Sequence, residues 1–501
     1  MTLSLRSQAP ALAVAVFLAA VTAVAVTDSS IPATTITIPL RLITGLAVLA
    51  FLMIALWAGP QSVILFWLAF APFQNLLGNT HYGHLLRQAL FSAPPLIFVL
   101  WLLIQRRRVR GSLVDALPGL YLGFVLASAV LAGTLVSVTQ TGLSGTSVGL
   151  TQIYAIICIG VVVYYFVAFV ELDEAFERRI ATVFLVVGSL IAAIADAGKA
   201  AGLNGKVAGF DFGAASTTSS GGVVEGRVAG PLGEAGVFGT FLGAVLVIAV
   251  AILVWGGPRS LRRWSIFTVV VVPPAIFLTL TRAPLLAASV VCILIVAFRS
   301  RSRWPGIVAL LSAVALFVVA WGTLAGTSLY KNRFGNVSNI QGRALLDRLS
   351  FKLAERKPVA GWGYGTYDHV KNTVHVDLGS TSLSPSFVFD YTSHNTFLTV
   401  LVELGGVGLL LLLAPWLVNA VHAVRRARAP SPDRWLLIAS LGIIGVWSID
   451  ALTSDMRFFP FVSALPWLAA GLLRRRALRE RSPEPRPSVG RLEPQLTLLP
   501  E

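Results

Sequence analysis

Two arginines, two carboxylates and a histidine stand in this chain where ionisable side chains are costly, at the ends of apolar runs or inside them. His394 opens the apolar run 394–418. Glu403 lies nine residues further on, which on a helix is the opposite face and deeper. Arg227 and Arg282 sit at or just inside the ends of other runs, and Glu234 follows Arg227 by seven residues. At about 100° per residue that spacing returns to nearly the same helix face, about 10 Å deeper, so the two can pair. Each of these groups is a candidate for chemistry. For the carboxylates a hydrogen-bonded structural role carries equal weight, and for the arginines the competing reading is snorkelling to the interface. Thr281-Arg282-Ala283-Pro284, a very tight turn between two apolar runs, weighs against snorkelling for Arg282.

Two further segments could handle an anion. Gly361-Trp362-Gly363-Tyr364-Gly365-Thr366 could cradle a phosphate on backbone amides, or form a tight turn after Pro358 whose aromatic side chains cover a sugar or lipid. Gly342 to Lys357 predicts a helix, with Leu345, Leu349 and Leu353 at i, i+4, i+8 and Pro358 as its stop. Its other faces carry Arg343, Arg348, Lys352, Arg356 and Lys357. An amphipathic helix lying on the membrane surface is the favoured reading, and a basic cover over an anionic substrate the alternative. His81 and His84 read as solvated loop residues, and the histidine spacing fits no metal pattern, so neither metal nor cofactor is expected. Cys158 and Cys292 fall inside apolar runs and read as small buried hydrophobes.

The elements that must position these residues are membrane helices. Of 501 residues 56% are hydrophobic and 12% charged, half or less of the roughly 25% charged residues usual in soluble domains. The expected fold is an all-α polytopic integral membrane protein of about 12–14 transmembrane helices. The apolar runs lie near 9–26, 39–57, 61–77, 89–105, 114–136, 151–170, 180–198, 230–255, 264–281, 283–298, 305–323, 394–418, 435–451 and 458–473. The first is expected to be a retained anchor. The formal charge of +16 does not indicate nucleic acid, because the basic residues cluster in alternate loops. Arg6, Arg106–Arg110, Arg178–Arg179, Arg259–Arg263, Arg299–Arg303, Arg425–Arg434 and the tail from Arg474 hold 24 of the 39 basic residues. By the positive-inside rule that side is cytoplasmic, both termini lie in it, and five of the six histidines lie on the other side.

The chain then divides into an N-terminal bundle 1–226 with an outer loop 199–226, helices 227–323 carrying Arg227 and Arg282, and a large, partly helical extracytoplasmic loop 324–393. Helices 394–473 and a disordered basic tail 474–501 follow. Cell-membrane localisation is expected, with the working site facing outward.

Ser393-His394-Asn395-Thr396-Phe397-Leu398, followed by Glu403-Leu404-Gly405-Gly406-Val407-Gly408-Leu409, resembles the His-Asn…Leu…Glu-Leu-Gly…Gly-Leu signature of the O-antigen ligase and polymerase superfamily. Gly342-Arg343, Pro358 and Gly361-Trp362-Gly363-Tyr364-Gly365 resemble that family's Gly-Arg…Pro…Gly-x-Gly-x-Gly run. Thr281-Arg282-Ala283 is similar to its Ser-Arg-Gly turn, and Gly226-Arg227-Val228-Ala229-Gly230 to its Arg-x-x-Gly segment. The resemblance spans about 227–410. Ala235-Gly236 replaces the family's Pro-Asn pair, so no role is carried onto those positions.

The resemblance implies a GT-C-like membrane glycosyltransferase that takes a glycan from a polyprenyl pyrophosphate and joins it to a glycan, lipid or protein hydroxyl outside the cytoplasmic membrane, without a metal. His394 is then the expected base, and Arg227 and Arg282 the pyrophosphate clamps. Arg343, Gly361, Gly363, Gly365 and Glu403 become the expected substrate-binding residues. A repeat-unit polymerase of the same superfamily is the first alternative and a lipid-linked-glycan flippase the second. Membrane lipids are expected partners; nucleic acid is not.

Overall fold

The computed structural model describes residues 59–73, 112–134, 158–170, 175–207, 210–213, 216–217, 223–224, 226–299, 338–374 and 393–481. The apolar runs at 9–26, 39–57, 89–105 and 305–323, and His81, His84 and His375, lie outside these residues.

The described helices are α1 (Pro60–Phe70), α2 (Leu113–Leu131), α3 (Ile159–Phe169), α4 (Phe176–Ala200), α5 (Ala235–Trp255), α6 (Arg259–Leu278), α7 (Arg282–Arg299), α8 (Ser338–Arg356), α9 (Tyr367–Thr373), α10 (Thr396–Ala427), α11 (Arg434–Ala451) and α12 (Pro460–Arg481). Two small antiparallel hairpins stand between α4 and α5, pairing β1 (Lys206–Val207) with β2 (Phe210–Asp211) and β3 (Ser216–Thr217) with β4 (Val223–Val224). Seven of the described helices, α2, α4, α5, α6, α7, α10 and α11, are long and apolar enough to cross a membrane. The protein is a helical, multi-pass membrane protein.

α5 is apolar all round and almost wholly buried, as a central helix must be. It packs against α4, α6, α7 and α11. Backbones approach closely where side chains vanish: a Cβ on Gly442 of α11 would lie 2.1 Å from Val247 of α5. α6 and α7 expose Phe267, Val270, Leu286 and Leu294, the pattern of faces turned to lipid.

The arginine-rich helix ends gather at one end of the bundle. There Arg474 forks onto Asp115, with Nε 2.5 Å from Oδ1 and Nη2 2.7 Å from Oδ2. Arg475 donates to the carbonyl of Val170 at 2.8 Å, and Arg476 bridges Asp433 and Glu177. These contacts correct the expected start of the disordered tail. Arg474 and Arg475 are each 4% exposed, and the ion pairs extend α12 eight residues beyond 473. The hairpins, the α6–α7 turn, α8, α9 and the start of α10 lie at the opposite end.

α8 begins four residues before the predicted start and ends one residue short of Lys357. Its leucine stripe does not lie on a membrane surface. Leu345, Leu349 and Leu353 are buried in a small core of their own with Tyr367 and Val370 of α9 and Val402 of α10. The surface-helix expectation fails because protein already covers the apolar face.

Candidate active site

The His-Asn pair sits at the first turn of α10, and the asparagine does the positioning. Asn395 is the N-cap: its Oδ1 accepts from the amides of Phe397 and Leu398, both at 3.1 Å. Its side chain also hydrogen-bonds Asp347 of α8. One residue therefore fixes the start of α10 and ties it to the basic helix. Ser393 closes the turn, with its Oγ accepting from the amide of Asn395 at 3.2 Å.

His394 is half-buried on this turn. Burial, and then the charge of Arg343, hold its imidazole below the usual histidine range, while Asp455 pulls the other way. A neutral imidazole at physiological pH can accept a proton. Arg343 in turn feels Asp450, Arg282, Asp347 and Glu234, and burial lowers its pKa from the usual arginine value. Burial is also the main influence on Asp347, raising its pKa against the opposing pull of Arg343.

Arg227 approaches from the hairpin side. Its Nε donates to the carbonyl of Thr279 at 3.2 Å and its Nη2 to Thr281 Oγ1 at 2.6 Å. The amide of Val228 bonds Leu278 O at 3.1 Å, so the Arg227 segment is laced to the α6–α7 turn that carries Arg282. Leu280 in that turn has φ 48, a left-handed conformation that costs a non-glycine residue of order 1 kcal/mol or more. Glu234 pairs with Arg227 at 3.7 Å, as the spacing suggested, though by another route. The helix starts at Ala235, not 230, and Glu234 is its N-cap, accepting from Val237 at 2.8 Å. The pair closes across a turn, not along a helix face.

His394, Arg343, Arg282, Arg227 and Glu234 are thus linked by electrostatic interactions at one end of the bundle. Asp450, at the end of α11, belongs with them and was missed in the sequence. It is fully buried, receives a hydrogen bond from Thr240, and feels Glu234, Arg343 and Arg227. A carboxylate inside the apolar run 435–451 was the available signal.

The glycine run does something other than cradle phosphate. In α10, Gly405 has φ 64 and ψ −169, and the helix breaks there. Continuous helix would join the amides of Gly406 and Val407 to the carbonyls of Val402 and Glu403. Instead the run plugs the gap. The amides of Trp362 and Gly363 bond the carbonyls of Val402 and Glu403 at 2.9 and 2.8 Å. The amides of Gly406 and Val407 bond Pro358 O and Val359 O at 2.7 and 3.2 Å. Four helix groups, the carbonyls of the buried Val402 and Glu403 and the amides of Gly406 and Val407, are satisfied by exchange. Gly361 has φ 70, and a Cβ there would stand 2.4 Å from Glu403 backbone atoms, so only glycine fits.

The remaining amides of the run are also committed. That of Gly361 bonds Lys357 O, that of Tyr364 bonds Ser128 Oγ, and those of Gly365 and Tyr367 bond the Glu403 carboxylate. The phosphate cradle on Gly361, Gly363 and Gly365 is therefore corrected to a tight structural turn. Glu403 is 2% exposed and takes the structural alternative, with Arg457 Nη1 2.6 Å from its Oε2. Arg457 also forks onto Asp455, Nη2 to Oδ2 at 2.8 Å and Nε to Oδ1 at 2.9 Å. Glu403 anchors the loop from below through Arg457 and Tyr367. Arg457 and Asp455, just past the run 435–451, were not legible as its partners.

Residues 274–413 match the family described as O-antigen ligase. Over that segment the chain is similar to the O-antigen ligase family. The matched segment takes in Arg282, Arg343, the glycine run, His394 and the helix break, while Arg227 lies before it. No curated protein matches the chain. That similarity supports a place in surface-polysaccharide ligation or polymerisation in general.

Proposed function

We propose that the protein ligates a glycan from a polyprenyl-pyrophosphate donor onto an acceptor hydroxyl at the end of the bundle opposite its arginine-rich ends, the outer side of the cytoplasmic membrane by the positive-inside rule. The observation that carries the reading is the chain of interactions that runs from the half-buried His394 to Arg343, from Arg343 to Arg282 and Glu234, and from Glu234 to Arg227.

The acceptor oxygen attacks the anomeric carbon as the bond from that carbon to the phosphate oxygen breaks. The electron pair leaves with the lipid pyrophosphate, and the acceptor proton passes to the imidazole of His394. Negative charge grows on the leaving phosphate, where Arg282 and Arg227 are the stabilisers and Arg343 adds a third positive charge. Arg227 is pre-oriented by Thr279 and Thr281, so little reorganisation accompanies the reaction. Arg343 has a second effect, since its charge adds to burial in lowering the pKa of His394.

The test compares glycan on lipid carrier and on final acceptor in a deletion strain complemented with the native chain, His394→Ala or Arg282→Ala. The reading predicts full-length glycan stranded on the lipid carrier for both variants at normal protein levels. Single repeats on the acceptor would indicate a polymerase instead, and accumulation on the cytoplasmic side a flippase.

A further inference from the structure

The two neighbours of His394 in the chain are each tied to α8 or α9. Asn395, on one side, bonds Asp347 of α8. On the other side Ser393, 2% exposed, hydrogen-bonds the phenol of Tyr367, the first residue of α9. The same phenol lies 2.7 Å from Ser350 Oγ of α8. Arg343, Asp347 and Ser350 stand at i, i+4 and i+7, on one face of α8. That face meets the histidine through Arg343, and its two neighbours through Asp347 and, by way of Tyr367, Ser350.

Tyr367 is the joint in this arrangement. Its ring is buried in the small core with Leu345, Leu349 and Val402, and its amide bonds the Glu403 carboxylate at 3.3 Å. Ring and backbone are therefore both fixed. Burial pushes the phenol up to about 12, so the hydroxyl keeps its proton. The protons can then run in one direction: Ser350 to Tyr367, Tyr367 to Ser393, and Ser393 to the Asn395 carbonyl 3.1 Å away. An apolar core is filled as well by a phenylalanine ring. The hydroxyl is the part that packing does not call for, and its two bonds join α8 to the residue before His394.

We propose that Tyr367 is a positioning residue for His394, its hydroxyl holding, through Ser393, the turn that carries the imidazole. The proposal rests on the reading of His394 as the base. A fixed turn narrows the orientations of the imidazole to those that can take the acceptor proton.

Tyr367→Phe keeps the ring and removes the hydroxyl. In the full chain in liposomes it should lower the single-turnover rate roughly tenfold, more than the few-fold worth of one hydrogen bond and less than the about 100-fold that a 1 Å misplacement can cost. The donor concentration giving half the maximal rate should not change, because the hold acts on the reaction and not on binding. Ser393→Ala breaks the same hold and serves if Tyr367→Phe fails to fold. The discriminating variant is Tyr367→Phe in the His394→Ala background, where there is no imidazole to hold and the residual rate should fall no further. An equal fall in both backgrounds would make the role merely structural and overturn the proposal. A native rate for Tyr367→Phe would also overturn it and leave His394 as the base, whereas a native rate for His394→Ala would remove the base and the positioning with it. A readout that needs no activity is the NMR spectrum of isotope-labelled histidine. The His394 resonances should shift or broaden in Tyr367→Phe, while those of His422, beside Glu480 at the arginine-rich end, stay in place. Unmoved His394 resonances would overturn the proposal.

Discussion

Replacing Arg457 with methionine strands two carboxylates inside the protein. Arg457 is 9% exposed and spans Glu403, at 2% exposure, and Asp455, at 7%. Three of its bonds lie between 2.6 and 2.9 Å. Breaking a buried pair by removing one partner costs about 3–5 kcal/mol, because an uncompensated charge stays behind. Against a typical total of roughly 5–15 kcal/mol that loss is large, and thermal unfolding in a fixed detergent should show it plainly. The loop is tied to the same carboxylate through Gly365 and Tyr367, so glycan joining should fall as well. The informative step is the second substitution. Glu403→Gln in the Arg457→Met background removes one stranded charge and should restore about 1–3 kcal/mol, although alone it destabilises the native chain. An Arg457→Met protein as stable as the native one would refute the reasoning. So would a double variant no more stable than the single.

Three other outcomes follow from the same geometry. Arg343 lowers the pKa of His394, so Arg343→Gln should move the acidic limb of the pH–rate profile to higher pH; an unmoved limb breaks that link. The sign follows from the role: a base works when unprotonated, and removing a positive neighbour makes protonation easier. Gly361→Ala places a Cβ 2.4 Å from the Glu403 backbone at φ 70, and Gly405→Ala places one 2.2 Å from Val359 O at φ 64, so either should undock the loop and raise its hydrogen exchange. Arg474→Gln leaves Asp115 buried without its fork and should lower stability by about 3–5 kcal/mol in thermal unfolding, whereas a disordered tail would give no change.

The helices were legible because lipid demands long apolar runs, and the arginines at 178–179, 259–263 and 425–434 mark their common end. The catalytic candidates were legible for a related reason: an arginine or histidine at the edge of such a run is costly enough to need explaining. What covers a surface was not legible. The stripe Leu345, Leu349, Leu353 announces an apolar face, yet nothing in its period says that Val402, some fifty residues later, covers it. The glycine run misled for the same reason. Free amides and a broken helix are two halves of one joint, and each half alone resembles something else. Arg457 and Asp450 are charges in or beside apolar sequence whose partners Glu403 and Thr240 lie on other helices, and Arg474 reads as tail because its partner Asp115 is 359 residues away.

The central claim is that His394 and the arginines perform glycan transfer together. Purified chain in liposomes, supplied with lipid-pyrophosphate-linked glycan and acceptor, gives a single-turnover rate for the native protein, Arg282→Ala and His394→Ala. Loss of one preorganised charge stabiliser is expected to cost roughly 3–4 kcal/mol, two to three orders of magnitude in rate, with His394→Ala at least as slow and folding intact. Rates within a few-fold of the native protein for either variant would contradict the account.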